Sequence, residues 1–408
     1  MPWRDRSPME ERWDFVREYK TELFTMTELA EQYGISRKTG YKWLARYRRD
    51  PAHGLQDQSR RPRVSPHTTD ADLIDLLVAH RRRHPRWGAK KLLAIAARQR
   101  PDLEWPSRAT VYTWLKRRGL IVARRRRVPS RHVPPSPLTP FTAVNAVWTT
   151  DFKGEFRTGD GRYCYPLTLR DGFSRFVLRC DGLLGRTQEA TQRCFDRAFR
   201  DYGLPERIRS DNGGPFASTG LGRLSQLSVW WMRLGIIPER TAPGHPEQNG
   251  SHEQFHSVLK AETARPPAPN GPAQQQRFHR FRRVYNEERP HEALGDQTPA
   301  SCYRPSAQRV PTRLPAISYP GHMDVRFVGS NGCVSWQGDA LFVATPLAGE
   351  YVAFEEVDDG LWTLRFGAVA LARYDERHRR LHPIAPITTG RSAGKAGVAP
   401  DRKERERQ

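Results

Sequence analysis

Three kinds of hydrophobic spacing follow one another along the chain. Between residues 8 and 52 apolar positions recur every three or four residues. Trp13, Phe15, Val16 and Tyr19 make one stripe, Leu29, Ala30 and Tyr33 a second, and Tyr41, Leu44 and Tyr47 a third. Thr27 is placed to cap the second helix, Gly34 to turn the chain and Ser36 to cap the third. Helix, glycine turn and capped helix together predict a helix-turn-helix unit, with Arg37, Lys38 and Lys42 on the outer face of its last helix. Residues 66–121 repeat the logic. Leu73, Ile74, Leu76 and Leu77 mark one helix and GAKKLLAIAAR another; RATVYTWLKRR follows the cap Ser107 and closes at Gly119. Val111, Trp114 and Leu115 should pack there, leaving Arg108, Thr110 and Thr113 outside.

Residues 122–140 break the periodicity. Arg124, Arg125, Arg126 and Arg127 cannot be buried together, and five prolines favour an extended, basic linker. From residue 141 to 305 the spacing becomes mixed. AVWTTDFKGEF, YCYPLTLRD and SRFVLRCDG read as three antiparallel strands with tight turns between them. A helix over 188–202, the short strand RIRSD, a helix over 219–234, an irregular stretch over 238–246 and helices over 249–264 and 273–288 complete an α/β sheet covered by helices. Between 320 and 382, MDVRFVG, CVSWQGDALFV, EYVAFEEV, LWTLRFG and AVALARYD alternate with period two between glycine turns, which predicts a small all-β, SH3-like barrel. The tail, 386–408, offers no core residues and is expected to be disordered.

Charge adds a partner to this picture. Of 68 basic and 45 acidic residues, 31 and 15 fall within residues 1–140, so a net +16 of the chain's +23 sits in one third of its length. Such concentration expects a polyanion, most simply nucleic acid. No apolar run reaches the roughly 20 residues of a membrane span, and MPWRDRSPME carries no signal core, so a bacterial cytosolic location is expected. The five cysteines form no C-x-x-C pair, which argues against a thiolate zinc site.

Three carboxylates stand in informative places. Asp151 interrupts the apolar AVWTTDF, where a charge is costly unless it serves a cation. Asp211 ends the strand RIRSD and enters an Asn-Gly-Gly turn whose backbone can approach a ligand closely. Glu253 lies in the first turn of a helix. Hard oxygen ligands without thiols suit Mg²⁺ or Mn²⁺, and a pair of such ions roughly 4 Å apart supports in-line displacement at phosphorus. His256 and Lys260 follow Glu253 by three and seven residues, placing all three on one helix face, with Lys260 a candidate phosphate contact. His252 and His256 are read either as orienting groups or as plain surface histidines.

WTTDF, RDGFSRF, SDNGGPF, PGHPEQNGSHEQFH and YNEERPHEAL resemble the core of the DDE transposase/integrase superfamily, in particular insertion-sequence transposases with a retroviral-integrase-type catalytic domain. The resemblance covers about residues 10–305 and implies an α/β ribonuclease-H-like core; with two all-α helix-turn-helix domains and the β-barrel the chain is expected to be multidomain. The resemblance further implies two divalent ions per site, nicking at the ends of a mobile element, and transfer of the freed 3′-hydroxyl into target DNA by a dimer or larger assembly. Asp151, Asp211 and Glu253 would be the catalytic and metal-binding residues. Glu247, with 35 residues after Asp211 instead of 41, competes with Glu253; Pro246, Gly250 and Glu253 fit the family's proline–glycine–glutamate pattern and favour Glu253. Asn212 and Gly213 are expected to shape the Asp211 turn, Ser174 and Arg175 to serve structure, and Arg289, Pro290 and His291 match the motif without an assigned chemistry. The competing readings are a catalytically silent DNA-binding regulator and a ribonuclease-H-type nuclease without strand transfer.

Overall fold

A computed structural model describes residues 7–57, 70–121, 138–218, 221–241, 248 and 250–384. The basic linker with Arg124 to Arg127, the competing Glu247 and the tail expected to be disordered lie outside the described residues. The chain divides into two compact units, one ending at Asp70 and one starting at Ala71.

The first unit holds α1 (Pro8–Lys20), α2 (Met26–Gln32) and α3 (Arg37–Arg49). Phe15, Val16, Met26, Leu29, Trp43 and Leu44 form its core. Thr25, not Thr27, caps α2, and it shares a capping box with Glu28. Tyr41 is 56% exposed, and Trp43 takes the inward position expected of it. The indole is covered by the cationic groups of Arg12, Lys42 and Arg46 at 4.0, 4.6 and 5.0 Å. Gly34, at φ +60°, turns the chain between α2 and α3 as expected.

The second unit opens with α4 (Ala71–Arg83), α5 (Ala89–Gln99) and α6 (Arg108–Arg117), packed through Leu77, Leu92, Ile95, Val111 and Leu115. Ser107 caps α6, its hydroxyl accepting from the Thr110 amide. The sheet that follows contains β1 (Val147–Phe152), β2 (Phe156–Arg157), β3 (Tyr163–Asp171), β4 (Val177–Leu183), β5 (Arg207–Ser210) and β6 (Ile237–Arg240). β3 pairs antiparallel with β1, β2 and β4, whereas β1, β5 and β6 run parallel. α7 (Gln188–Tyr202) buries Phe195, Ala198 and Phe199 against one face; α8 (Gln226–Arg233) joins it through Trp231. α9 (Gly250–Thr263) and α10 (Gly271–Arg283) cover the other through Phe255, Leu259, Phe278 and Phe281.

Several expected elements change shape. AVWTTDFKGEF divides into β1 and β2. The 219–234 helix shortens to α8 behind a single 3₁₀ turn, and α10 passes into a wider π-type turn at Val284–Glu288. The stretch 238–246, expected to be irregular, begins with β6. Its sequence, IPER, carries no apolar alternation, but Glu239 is fully buried and accepts from Arg209 at 2.6 Å and from the Thr139 amide at 2.8 Å. A closed ion pair replaces hydrophobic patterning there.

α11 (Pro299–Cys302) leads to the all-β region: β7 (Asp324–Phe327), β8 (Cys333–Trp336), β9 (Asp339–Phe342), β10 (Tyr351–Asp358), β11 (Leu361–Phe366), β12 (Val369–Asp375) and β13 (Arg380–Pro383). CVSWQGDALFV is a hairpin, β8–β9, turning at Gln337 and Gly338, both with positive φ. The other strands form one antiparallel sheet, and the two sheets do not close into the expected barrel. Trp336 stacks on Phe354 at 3.9 Å, and the same core takes in Leu224, Val229 and Met232 from around α8. That contact explains the apolar LSQLSVWWM run: one side faces the sheet core and the other the β region.

Candidate active site

Strand register brings the first two carboxylates together. Thr149 pairs with Arg209 across the parallel β1–β5 ladder, and Asp151 and Asp211 each stand two residues further on. Side chains two apart share a face, so both acids emerge at one end of the sheet on neighbouring strands. Burial comes first in raising the Asp151 carboxyl to about 7, and the nearby Asp211 adds to it, with a smaller push from Glu253.

α9 lies over the same face. His252 Nδ1 is 3.0 Å from the Thr149 hydroxyl, and its Nε2 is 2.7 Å from the hydroxyl of Thr168, the β3 residue paired with Asp151. His256 Nε2 reaches that hydroxyl too, at 2.8 Å, while its Nδ1 stands 3.5 Å from Asp151 Oδ2. Burial lowers both imidazoles, His252 well below the usual range and His256 to about 3, so both are neutral. Thr168 has one hydroxyl proton and donates to the Asp151 carbonyl at 3.1 Å. The Thr168 hydroxyl thus links both imidazoles to the β1 backbone, and His256 Nδ1 is the ring nitrogen that faces Asp151.

The Asp211 turn is built for close approach. Asn212 donates to the Thr241 carbonyl at 2.7 Å, tying the turn to the end of β6. A Cβ on Gly213 would stand 3.1 Å from Asp211 Oδ2, so the site tolerates only glycine without movement. Asp211 Oδ1 is buried and has no hydrogen-bond partner among the described residues. An orphaned carboxylate oxygen beside a second carboxylate fits a hard divalent cation, and the oxygen and imidazole donors present suit Mg²⁺ or Mn²⁺. Arg240, buried at the end of β6 and donating to Ser210 at 2.9 Å, is lowered to about 10 by burial and held up by Asp211.

The third carboxylate is less closely gathered. Glu253 is on α9 and exposed, and among the described residues no three His, Cys, Asp or Glu side chains cluster tightly enough to hold one ion. Uncompensated like charges repel, so such a cluster is costly to close without its cation. The shared helix face expected for Glu253, His256 and Lys260 splits: His256 turns inward, whereas Glu253 and Lys260 are exposed. In the helical units Arg37, Lys38, Lys42 and Arg108 are exposed, as expected. Thr110 is half-buried with its hydroxyl 2.9 Å from Ser107 Oγ, and Thr113 is exposed with its hydroxyl donating to the Ala109 carbonyl at 3.0 Å. Ser174 is structural: its amide and hydroxyl donate to buried Asp171 at 2.7 and 2.6 Å. Thr168, Arg170 and Arg240 were not singled out from sequence, because nothing local distinguishes them from other strand residues.

Comparison with known proteins agrees with this arrangement. Two models of an integrase core domain match residues 142–246 and 234–299, a helix-turn-helix domain model matches 11–63 and a homeodomain-like model matches 39–115. A 31.7 kDa protein of insertion element IS407 from Burkholderia multivorans is 29% identical over 231 residues, covering 56% of this chain and 78% of that protein. The transposase InsD of insertion element IS2 from Escherichia coli is 24% identical over 255 residues, covering 60% and 82%. The integrase core models and the insertion-element relatives together support a place in the DDE transposase/integrase superfamily. Among solved structures, the HTLV-2 integrase catalytic core in complex with magnesium matches 40% of this chain and 99% of its own at 18% identity, with a TM-score of 0.30. The simian T-cell lymphotropic virus intasome in complex with PP2A regulatory subunit B56 gamma matches 76% and 99% at 15% identity, with a TM-score of 0.34. The chain combines N-terminal helix-turn-helix domains with a ribonuclease-H-like integrase core. No helix among the described residues is long and apolar enough to cross a membrane.

Proposed function

We propose that the protein is a DNA transposase of the bacterial cytosol. On this reading, residues 8–52 and 66–121 bind the terminal inverted repeats of a mobile element, and residues 141–305 cleave DNA and transfer its strands. The observation that carries the reading is the parallel β1–β5 register, which sets Asp151 and Asp211 side by side at one sheet end with an orphaned Asp211 oxygen. Asp151, Asp211 and Glu253 would hold two divalent cations, Mg²⁺ or Mn²⁺. Such cations would supply Lewis acidity to the attacking and leaving oxygens at phosphorus. Neutral His256 orients Asp151, and Asn212 with Gly213 holds the Asp211 turn open. Because two element ends are joined to one target, the working form is a homodimer or higher assembly on double-stranded DNA.

The test is an Asp151→Asn variant of the full chain, assayed on duplexes carrying the repeats that flank its reading frame. The reading expects repeat binding within about twofold of wild type, and nicking lowered by on the order of a thousandfold, the scale on which one member of a catalytic group acts. Unchanged Mg²⁺-dependent nicking would overturn it; wild-type protein that binds repeats but never nicks would favour the silent regulator.

A further inference from the structure

The RPHEAL motif lines a place that the proposed chemistry does not use. On the side of α9 away from His256, a cavity of about 430 Å³ is bordered by Lys91 of α5, Arg170 of β3, Arg175 of the β3–β4 turn, Arg289 and His291. Ser251, Gln254 and Phe255 of α9 and Tyr285 complete most of the wall. Four cations thus converge, and the one carboxylate in the lining, Glu292, is already paired with Lys90 at 3.0 Å. Arg289 has a second acid within reach, Glu262, at 3.3 Å.

These cations are neither loose nor fully satisfied. Arg170 is 1% exposed; its Nη1 donates to the Ser251 carbonyl at 3.1 Å and its Nη2 to the Ser251 hydroxyl at 2.5 Å. Arg175 also donates to that hydroxyl. Lys91 donates to the Pro290 carbonyl at 2.8 Å. Yet Arg170 Nε, Arg289 Nε and His291 Nε2 are buried without a hydrogen-bond partner among the described residues. Burial, reinforced by Arg289 and opposed by Asp296, Glu262 and Glu292, brings the Lys91 ammonium down to about 8. Burying several guanidinium groups without an anion is costly, and their forked donors match phosphate oxygens.

We propose that this cavity seats a backbone phosphodiester of DNA, held jointly by the second helical unit and the α/β core. The proposal rests on the DNA-acting reading above and deepens it. Gln254, the neighbour of exposed Glu253, is part of the wall, so the cavity lies next to the third candidate acid. The otherwise unexplained motif then has a role. Arg289 supplies a phosphate donor, Pro290 presents the carbonyl that aims Lys91, and neutral His291 supplies one more donor. Burial, with Lys91 and Arg289 adding to it, lowers His291 to about 3.

The experiment measures binding of the full chain to a random-sequence duplex across a salt series, for wild type, Lys91→Gln, Arg175→Gln and Lys91→Arg. A lost phosphate contact lowers the slope of log K against log salt by about one. The expected result is a slope lower by about one in each glutamine variant, with recovery in Lys91→Arg. Melting curves show which variants fold, and either glutamine variant alone carries the test. A parallel melting series with inorganic phosphate at constant ionic strength separates the two sources of phosphate. Equal slopes in all variants overturn the proposal, as does stabilisation of wild type by inorganic phosphate with unchanged DNA slopes, which would mark a free-anion site. Wild type that binds no DNA overturns this proposal together with the transposase reading; equal slopes with nicking intact overturn this one alone.

Discussion

The two sides of α9 carry opposite electrostatic problems. Toward β1 and β5, Asp151 and Asp211 raise each other's cost, and the histidines facing them are neutral and bring no positive charge. Toward the second helical unit, Lys91, Arg170, Arg175 and Arg289 meet with little acid among them. Elsewhere the same sheet buries charge without difficulty: Arg209 and Glu239 neutralise each other at 2.6 Å and share Thr139 as a common partner. The difference teaches that the excess charge beside α9 is not a by-product of burying polar residues. Lys153 and Arg240 offset the carboxylates only in part, and the other side carries more cations than acids; the proposed metal-bearing site on a phosphodiester strand would supply what each needs.

The largest expected effect breaks the carboxylate side. Asp211→Asn and Asp151→Asn should each lower metal-dependent strand cleavage by on the order of a thousandfold, measured as nicking of supercoiled plasmid, while Lys91→Gln should retain cleavage at saturating protein. Equal losses in both classes would erase the contrast.

Thermal stability sharpens it next. The folded Asp151 carboxyl lies near 7, above its ordinary value of 3.8. The folded chain therefore favours the protonated form, and this group's contribution to stability, full below the ordinary value, is lost as pH rises through 7. In metal-free buffer at pH 8, Asp151→Asn should melt several degrees above wild type, an order-of-magnitude expectation for removing one buried charge. Adding Mg²⁺ should raise the wild-type midpoint and leave the variant unmoved; calorimetry decides.

A smaller effect belongs to the cation side. Lys91 faces Arg289, which lowers it, and Asp296, Glu262 and Glu292, which raise it, with burial dominating and a result near 8. An anion seated beside it favours the charged form, so DNA binding at pH 8 should take up a fraction of a proton that Lys91→Gln does not. Titration calorimetry in buffers of different ionisation enthalpy reads this directly. Smallest of all, alanine at Arg37, Lys38 or Lys42 should weaken DNA binding only modestly and chiefly at low salt, because these side chains are exposed.

Much of this architecture was legible in the residues. β3, α7 and α9 follow from apolar spacing, and the Asp-Gly and Asn-Gly-Gly turns mark where strands end. The first two carboxylates could be paired because one interrupts an apolar strand and the other ends one. What stayed hidden had physical causes. β6 is polar in sequence because an ion pair, not an apolar stripe, buries it. Tyr41 and Trp43 exchange places because cation–aromatic contacts, invisible to periodicity, hold the indole inside. Helical spacing placed His256 beside Glu253 but could not tell which flank meets the sheet. The cation cavity draws on residues 91, 170, 175 and 289, which no local window contains.

Substitution at the third acidic position tests the central claim most directly. Supercoiled plasmid should be incubated with Mn²⁺ and wild type, Glu253→Gln or Glu247→Gln, and the rate of nicking measured. If Asp151, Asp211 and Glu253 together hold the ions, Glu253→Gln should lose nicking to about the level of Asp151→Asn and Glu247→Gln should keep it. Nicking that survives in Glu253→Gln would contradict the account.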